Sequence, residues 1–150
     1  MCSSDLNADW LGNLELLPFL RDIGKNFNMA ELTAREFFKA RISNGKGLSF
    51  AEFTYTLLQG YDFWHLFKHQ GVNLQIGGSD QWGNLLSGVE LIRKKENAEV
   101  YAMTAPLLIN KSTGRKFGKS EGGAVWLDEN KTSVYKFYQF WLNEIGRAHV

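Results

Sequence analysis

Cysteine is almost absent from these 150 residues: the only one is Cys2. That excludes an internal disulfide framework and a Cys-rich zinc site, and it fits a reducing compartment. No apolar run approaches the ~18–20 residues that a membrane-spanning helix needs. Residues Met1 to Leu6 carry neither a basic stretch nor an apolar one, so no secretory signal is read there. An excess of one charge is lacking too. Seventeen Lys and Arg against sixteen Asp and Glu leave a net charge of +1. This excludes nucleic-acid binding by bulk charge but leaves room for a local basic patch. There is no internal repeat, no low-complexity tract, no Walker-type P-loop and no Ser/His/Asp or Cys/His signature. What remains is 44% apolar and 14% aromatic, enough bulk for the core of one domain or of part of a larger one.

The two ends read differently from the middle. Residues 1–6 and 144–150 can be encoded by DNA stretches that are reverse complements over most of their length. They resemble a short-read sequencing adapter joined to both ends of an insert. Coincidence in a degenerate code is the alternative. The expectation is that these segments are not native, and that Asn7 to Asn143 is an internal piece of a longer gene.

The periodicities predict mixed α/β structure. Leu14, Leu17, Leu20 and Ile23 recur at helical spacing, so an amphipathic helix is expected from Asn13 to Asn26. Asn28 can cap a second short helix, and Thr33 a third that runs to about Ile42. Ser43 to Gly47 is a turn cluster. Ser49 and Glu52 form a capping box that opens the longest helix, carried by Leu57, Phe63 and Leu66 to about His69 and closed by Gly71. A strand at Val72–Ile76, a Gly77–Asp80 loop and a helix from Gln81 to Lys95 follow, half of a βαβ unit. A second strand is expected at Glu99–Met103, a glycine-rich loop at 110–123, and a brief strand at Val125–Leu127. A last helix runs from a Thr132 or Ser133 cap through Trp141.

Four constellations bear chemistry. Tyr55, Gln59 and Asp62 are spaced i, i+4, i+7 and share one helical face. A phenol, an amide and a carboxylate in line suit a small charged and polar ligand such as an amino acid; a solvated face is the bland alternative. In Gln75-Ile76-Gly77-Gly78-Ser79-Asp80-Gln81-Trp82-Gly83-Asn84, the glycines permit close backbone approach. The helix that follows offers N–H groups and a positive dipole end to an anion, and Asp80 can accept from a ribose hydroxyl. A plain turn is the alternative. Arg115-Lys116-Phe117-Gly118-Lys119-Ser120 can grip polyphosphate through its two lysines or can be a solvated loop. Arg93-Lys94-Lys95, with Lys111 and Arg115 further on, is either a patch for a nucleic-acid backbone or a cationic helix end. His65 and His69 have metal-compatible spacing, but nothing completes a site, so they read as structural and no metal site is expected.

Together these strings resemble bacterial-type tyrosyl-tRNA synthetases, a class I aminoacyl-tRNA synthetase family. The resemblance covers Asn7 to Asn143 and rests on Tyr-x-x-x-Gln-x-x-Asp, on Gln-x-Gly-Gly-Ser-Asp-Gln-Trp-Gly-Asn and on Lys-Phe-Gly-Lys-Ser. It implies an α/β fold: the second half of a Rossmann-type catalytic domain (residues 49–143) preceded by a helical connecting and dimer-interface region (7–48). It implies that Tyr55 and Gln59 bind the ammonium of tyrosine, Asp62 its phenol, and that Gln75 supports that pocket. Gly78 and Asp80 would hold the ribose, and Gln81 would lie beside the reacting carboxylate and α-phosphate. Lys116 and Lys119, in the signature loop with Phe117, Gly118 and Ser120, would stabilise the leaving pyrophosphate. ATP is then a substrate, accompanied by Mg2+; tRNA(Tyr) is the second partner, met by Arg93 and Lys94. The parent is expected to be a homodimer, with Phe50 near the contact, in the cytoplasm or an organellar matrix, and not in a membrane. The family's His-x-Gly-His motif is not in this chain, nor is the anticodon-recognition part, so half an active site and no activity of the piece alone are expected. A standalone non-catalytic relative that binds RNA or a partner is the alternative, and a tryptophanyl-tRNA synthetase fragment a further one.

Overall fold

The computed structural model describes residues 6–35, 38–39, 43–45, 47–109 and 125–145. The chain divides into two units, Met1–Pro106 and Leu107–Val150.

In the first unit, α1 (Ala8–Leu11), α2 (Leu16–Asp22) and α3 (Met29–Thr33) are short, with a 3₁₀ turn at Gly24–Asn26. The single helix expected over Asn13–Asn26 is thus cut down to α2 and the turn. Pro18 explains the late start. It lies in the first turn of α2, where no N–H is required, whereas a helix begun at Asn13 would hold it in the interior. The buried face also differs from expectation. Phe19 and Ile23 point inward, while Leu17 is 78% and Leu20 39% exposed. The large Phe19 ring meets Tyr61 edge-on at 5.9 Å, and that contact sets the rotation of α2. Asn28 caps α3 as expected, accepting from Ala30 N–H at 2.8 Å. Thr33 is no cap: it ends α3 and its hydroxyl donates to Met29 O at 2.8 Å. Of the helix expected from Thr33 to Ile42, Phe38 and Lys39 are helical, and the remainder lies largely outside the described residues.

The long helix α4 (Phe50–Gln70) begins at the expected capping box. Ser49 Oγ accepts from Glu52 N–H at 3.2 Å and Glu52 Oε2 accepts from Ser49 N–H at 3.0 Å. It ends at Gly71, whose φ of +70° is left-handed and suits glycine. Strand β1 (Leu74–Gly78), a 3₁₀ turn at Ser79–Gln81, helix α5 (Trp82–Glu96) and strand β2 (Tyr101–Ala105) follow. Both strands lie two residues beyond their expected places. The turn after Gly71 consumes residues 71–73, and Gly77 and Gly78 are ladder residues rather than loop. The strands are parallel, with Leu74 opposite Tyr101 and Gly78 opposite Ala105. Parallel neighbours require a crossover, and α5 supplies it.

Helices α4 and α5 form the centre of the unit. Gly60 and Gly88 let them approach closely. A Cβ on Gly60 would stand 3.4 Å from the Ser87 backbone, and one on Gly88 would stand 2.7 Å from Phe63 Cδ1. Phe63, Ile92 and Val100 form one buried cluster, and Phe19, Ile23, Leu32, Leu57 and Leu91 another. The C-terminal ends of the two helices are joined by Glu96, which accepts from Trp64 Nε1 and Lys68 Nζ, each at 2.8 Å.

In the second unit, Val125–Leu127 forms no strand. Trp126 N–H instead donates to Thr132 Oγ1 at 3.0 Å, closing a turn in which Asp128 Oδ1 accepts from Asn130 N–H at 3.0 Å. Helix α6 (Val134–Ile145) follows. Ser133, not Thr132, is its cap, accepting from Lys136 N–H at 3.4 Å.

Candidate active site

The polar stripe on α4 is graded. Tyr55, near the start of the helix, is 59% exposed, Gln59 is half-buried, and Asp62 is 7% exposed. Asp62 accepts from the indole N–H of Trp10 at 2.8 Å. Burial raises its pKa above the ordinary carboxylate value, and hydrogen bonds from Trp10 and Asn7 and the nearby His65 oppose that rise. An ionised carboxylate only accepts and has room for several donors, so Asp62 can take a hydroxyl in addition to the indole.

Trp10 was not singled out by the sequence. It lies 52 residues from Asp62, and only a tryptophan within the polar run Asn7–Asn13 hinted at a role. Its ring stacks on His65 at 4.7 Å and 11°, and His65 in turn lies 4.3 Å from His69. Burial, then the neighbouring His69, lower the pKa of His65, with Asp62 opposing. Among the described residues no group of three His, Cys, Asp or Glu could hold a metal ion.

Gln75 lies on β1, paired with Ala102. Its Oε1 is buried and has no hydrogen-bond partner among the described residues. An acceptor left without a partner costs roughly 1–3 kcal/mol, a cost that a donor from a ligand or from residues beyond those described would remove. Gly78 ends the same strand, and Asp80, exposed, and Gln81, half-buried, occupy the 3₁₀ turn after it. Gln81 Oε1 accepts from Asn84 Nδ2 at 3.2 Å, and Asn84 Oδ1 accepts from Thr56 Oγ1 at 3.0 Å. The loop is therefore tied to α4 beside the stripe. Thr56 was not picked out from sequence, and Asn84 entered only as the last residue of the glycine-bearing string, with no role of its own. Arg35, likewise unforeseen, donates to Gly83 O and to Ser87 Oγ along α5.

Of the basic cluster, Arg93 is exposed, Lys94 donates to Asn26 O at 2.8 Å and Lys95 to Asp22 O at 3.3 Å. Lys95 thus serves the connecting region, Lys94 is exposed while bonded to it, and Arg93 faces solvent. Phe50 is 72% exposed. The signature-loop residues Lys116, Phe117, Gly118, Lys119 and Ser120 lie outside the described residues, as do Lys111 and Arg115. No described helix is long and apolar enough to cross a membrane.

A strand ending in two glycines, a 3₁₀ turn and a helix, beside a polar helical stripe, make this unit an α/β fragment. Residues 5–149 match the family described as tRNA synthetases class I (W and Y), and the chain belongs to that family. It is 57% identical over 138 residues to "Tyrosine--tRNA ligase" of Pectobacterium atrosepticum, covering 91% of this chain and 32% of that protein. It is 56% identical over 142 residues to "Tyrosine--tRNA ligase 1" of Bacillus cereus, covering 94% of this chain and 33% of that one. The chain therefore spans about a third of the length of the curated relatives it matches. Among solved structures it superposes on a C-terminally truncated mitochondrial tyrosyl-tRNA synthetase of Aspergillus nidulans with a TM-score of 0.71 at 34% identity, covering 91% of this chain and 39% of that one. The Coccidioides posadasii counterpart gives a TM-score of 0.71 at 31% identity, covering 91% and 40%. These relatives carry the tyrosyl name rather than the tryptophanyl one, and they favour neither a tryptophanyl fragment nor a standalone binding module.

Proposed function

We propose that this chain is the second half of the catalytic domain of a tyrosine-tRNA ligase, residues 49–143, with a helical connecting region before it. The whole protein joins tyrosine to ATP and passes the tyrosyl group to tRNA(Tyr). The tyrosine carboxylate attacks the α-phosphate, the bond to the β-phosphate oxygen breaks, and pyrophosphate leaves with Mg2+ accompanying the phosphates. The observation that carries this is Asp62: a buried carboxylate with an indole N–H on one oxygen, at the end of a Tyr55/Gln59 stripe. A substrate phenol adds a donor to this carboxylate, whereas phenylalanine displaces water from it and supplies none, at a cost of roughly 1–3 kcal/mol.

Tyr55 and Gln59 receive the ammonium, and Gln75, with its orphaned Oε1, completes the tyrosine pocket. Gly78 and Asp80 hold the ribose, and Gln81 donates to the carboxylate and α-phosphate. Lys116 and Lys119 in the signature loop stabilise the pyrophosphate. The work is orientation and electrostatic stabilisation, with no covalent enzyme intermediate. Arg93 and Lys94 meet the acceptor stem, and a homodimer forms near Phe50 in the cytoplasm or an organellar matrix. The piece alone lacks the partner half of the site and does not make the adenylate.

The test is tyrosine-dependent ATP–pyrophosphate exchange by the full-length protein, with and without Asp62→Asn. Exchange that accepts tyrosine, rejects phenylalanine and loses that discrimination in the variant is expected. No tyrosine-dependent exchange by the full-length protein would sink the proposal. Exchange by the 150-residue chain at a full-length rate would refute the half-site claim alone.

A further inference from the structure

We propose that Thr56, acting through Asn84, is a positioning residue that fixes which end of the Gln81 amide faces the substrates. This rests on the tyrosine-tRNA ligase reading given above for Gln81. Thr56 is 3% exposed on α4, one residue from Tyr55 but turned toward α5. Its hydroxyl donates to Asn84 Oδ1 at 3.0 Å. The hydroxyl, which can donate or accept, here donates, and with its oxygen on Thr56 the Asn84 amide turns its Nδ2 to Gln81, where it donates to Oε1 at 3.2 Å. The oxygen of Gln81 is thereby used inside the protein. Both N–H bonds of its Nε2 remain, and no described group accepts from them.

The polarity of this relay matters because of what Gln81 has to meet. A carboxylate and an α-phosphate are anions, and in the transition state the phosphate gains charge. An amide that presents N–H groups stabilises both, whereas one that presents its oxygen repels both. An unrestrained glutamine amide rotates about its last torsion with little preference. The relay removes that freedom before the substrates arrive, so no reorganisation is required when the phosphate charge develops.

Two substitutions separate polarity from packing. Thr56→Val keeps the shape and removes the donor, so Asn84 is free to flip. Asn84→Asp keeps the shape but cannot donate to Gln81, and it draws the Gln81 N–H groups inward. In the full-length protein, Thr56→Val is expected to lower kcat for ATP–pyrophosphate exchange about tenfold, and Asn84→Asp roughly a hundredfold, the range seen when a transition-state donor is lost. KM for tyrosine should stay within about twofold in both, and Thr56→Ser should restore kcat, as expected when only transition-state binding changes. Unchanged kcat in both variants, a rise confined to KM, or failure of Thr56→Ser to rescue would overturn the proposal. If the unaltered full-length protein shows no tyrosine-dependent exchange, it is the ligase reading that fails. The relay is then decided in the 150-residue chain by the side-chain amide resonances of Gln81. A shift with slowed proton exchange in Asn84→Asp supports it, and unchanged resonances overturn it.

Discussion

The interface between α4 and α5 and the sheet beside it are built from neighbouring residues, yet they are finished to different degrees. At the helix interface every layer is closed. Thr56 bonds Asn84, Gly60 admits the Ser87 backbone, Phe63 fills the space over Gly88, and Trp64 bonds Glu96. The sheet has one closed face and one bare face. Leu85, 1% exposed, packs beneath Gly77. On the alternate positions, Leu74, Ile76, Tyr101 and Met103 are 41–58% exposed, and their register sets them side by side. Parallel sheets are ordinarily covered on both faces. The helix pair is thus closely packed, while the sheet keeps an apolar face that is exposed. The candidate site spans the two, with a settled side on α4 and an orphaned acceptor, Gln75, on the strand.

This difference predicts where substitutions hurt. Phe63 is fully buried in the cluster with Ile92 and Val100. Phe63→Ala should cost about 3–5 kcal/mol, as large-to-small changes of aromatic core residues do. Chemical denaturation of the 150-residue chain measures it, and a loss below about 1 kcal/mol would show that the helix pair is not the stable core. Gly88→Ala tests the same layer from the other side. The added methyl would stand 2.8 Å from Phe63 Cβ, so one helix has to move. Overpacking of this kind costs roughly 1–3 kcal/mol, despite the better helix propensity of alanine.

Acid should act through the helix pair as well. The folded-state pKa of His65 is lowered by burial and by His69 from its ordinary 6.5. A group lowered on folding contributes stability above its unfolded pKa, and that contribution is lost as pH falls through the folded value. The hydrogen bonds of Lys68 and Trp64 lower Glu96 below 4.5, which adds a second loss at lower pH. Asp62, raised by burial, runs the other way and favours the fold when protonated. The thermal midpoint should therefore drop as pH falls below 6.5, with His65→Gln flattening that first step. A midpoint that rises over that range would contradict the stacked Trp10–His65–His69 arrangement.

Local rules were readable from sequence, and distant pairings were not. The Ser49–Glu52 box, the Asn28 cap and the Gly71 stop follow from residues a few positions apart, and each is formed. The order strand, glycine turn, helix was legible for the same reason. The face of α2 was misjudged because Leu17 and Leu20 fit the period, while the volume of Phe19 and its contact with Tyr61 decided the rotation. The strands slipped by two residues because a Gly-Gly pair reads as a turn when its ladder partners, Thr104 and Ala105, are out of view. At the candidate site, Asp62 was singled out from sequence, but Trp10 and Thr56 were not. Their partners lie 52 and 28 residues away, and no spacing rule reaches that far.

The smallest expected effect comes from the bare face of the sheet. Ile76 is 58% exposed on β1, opposite Met103. Ile76→Thr keeps the β-branched shape that a strand favours, while it removes the terminal methyl and puts a hydroxyl in place of a methylene, on a side chain that is mostly exposed. Its effect on the stability of the 150-residue chain should stay within about 0.5 kcal/mol, as for other surface positions. The same substitution in the full-length protein should cost more, about 1–2 kcal/mol, if the remainder of the catalytic domain covers this face and the side chain becomes buried. Equal small losses in the two lengths would mean that the face stays open and that the sheet is as complete as it will be. A large loss in the short chain would mean that something within it, or a second copy of it, already covers the sheet. Measuring the short chain at two concentrations separates those two, because only self-association depends on concentration.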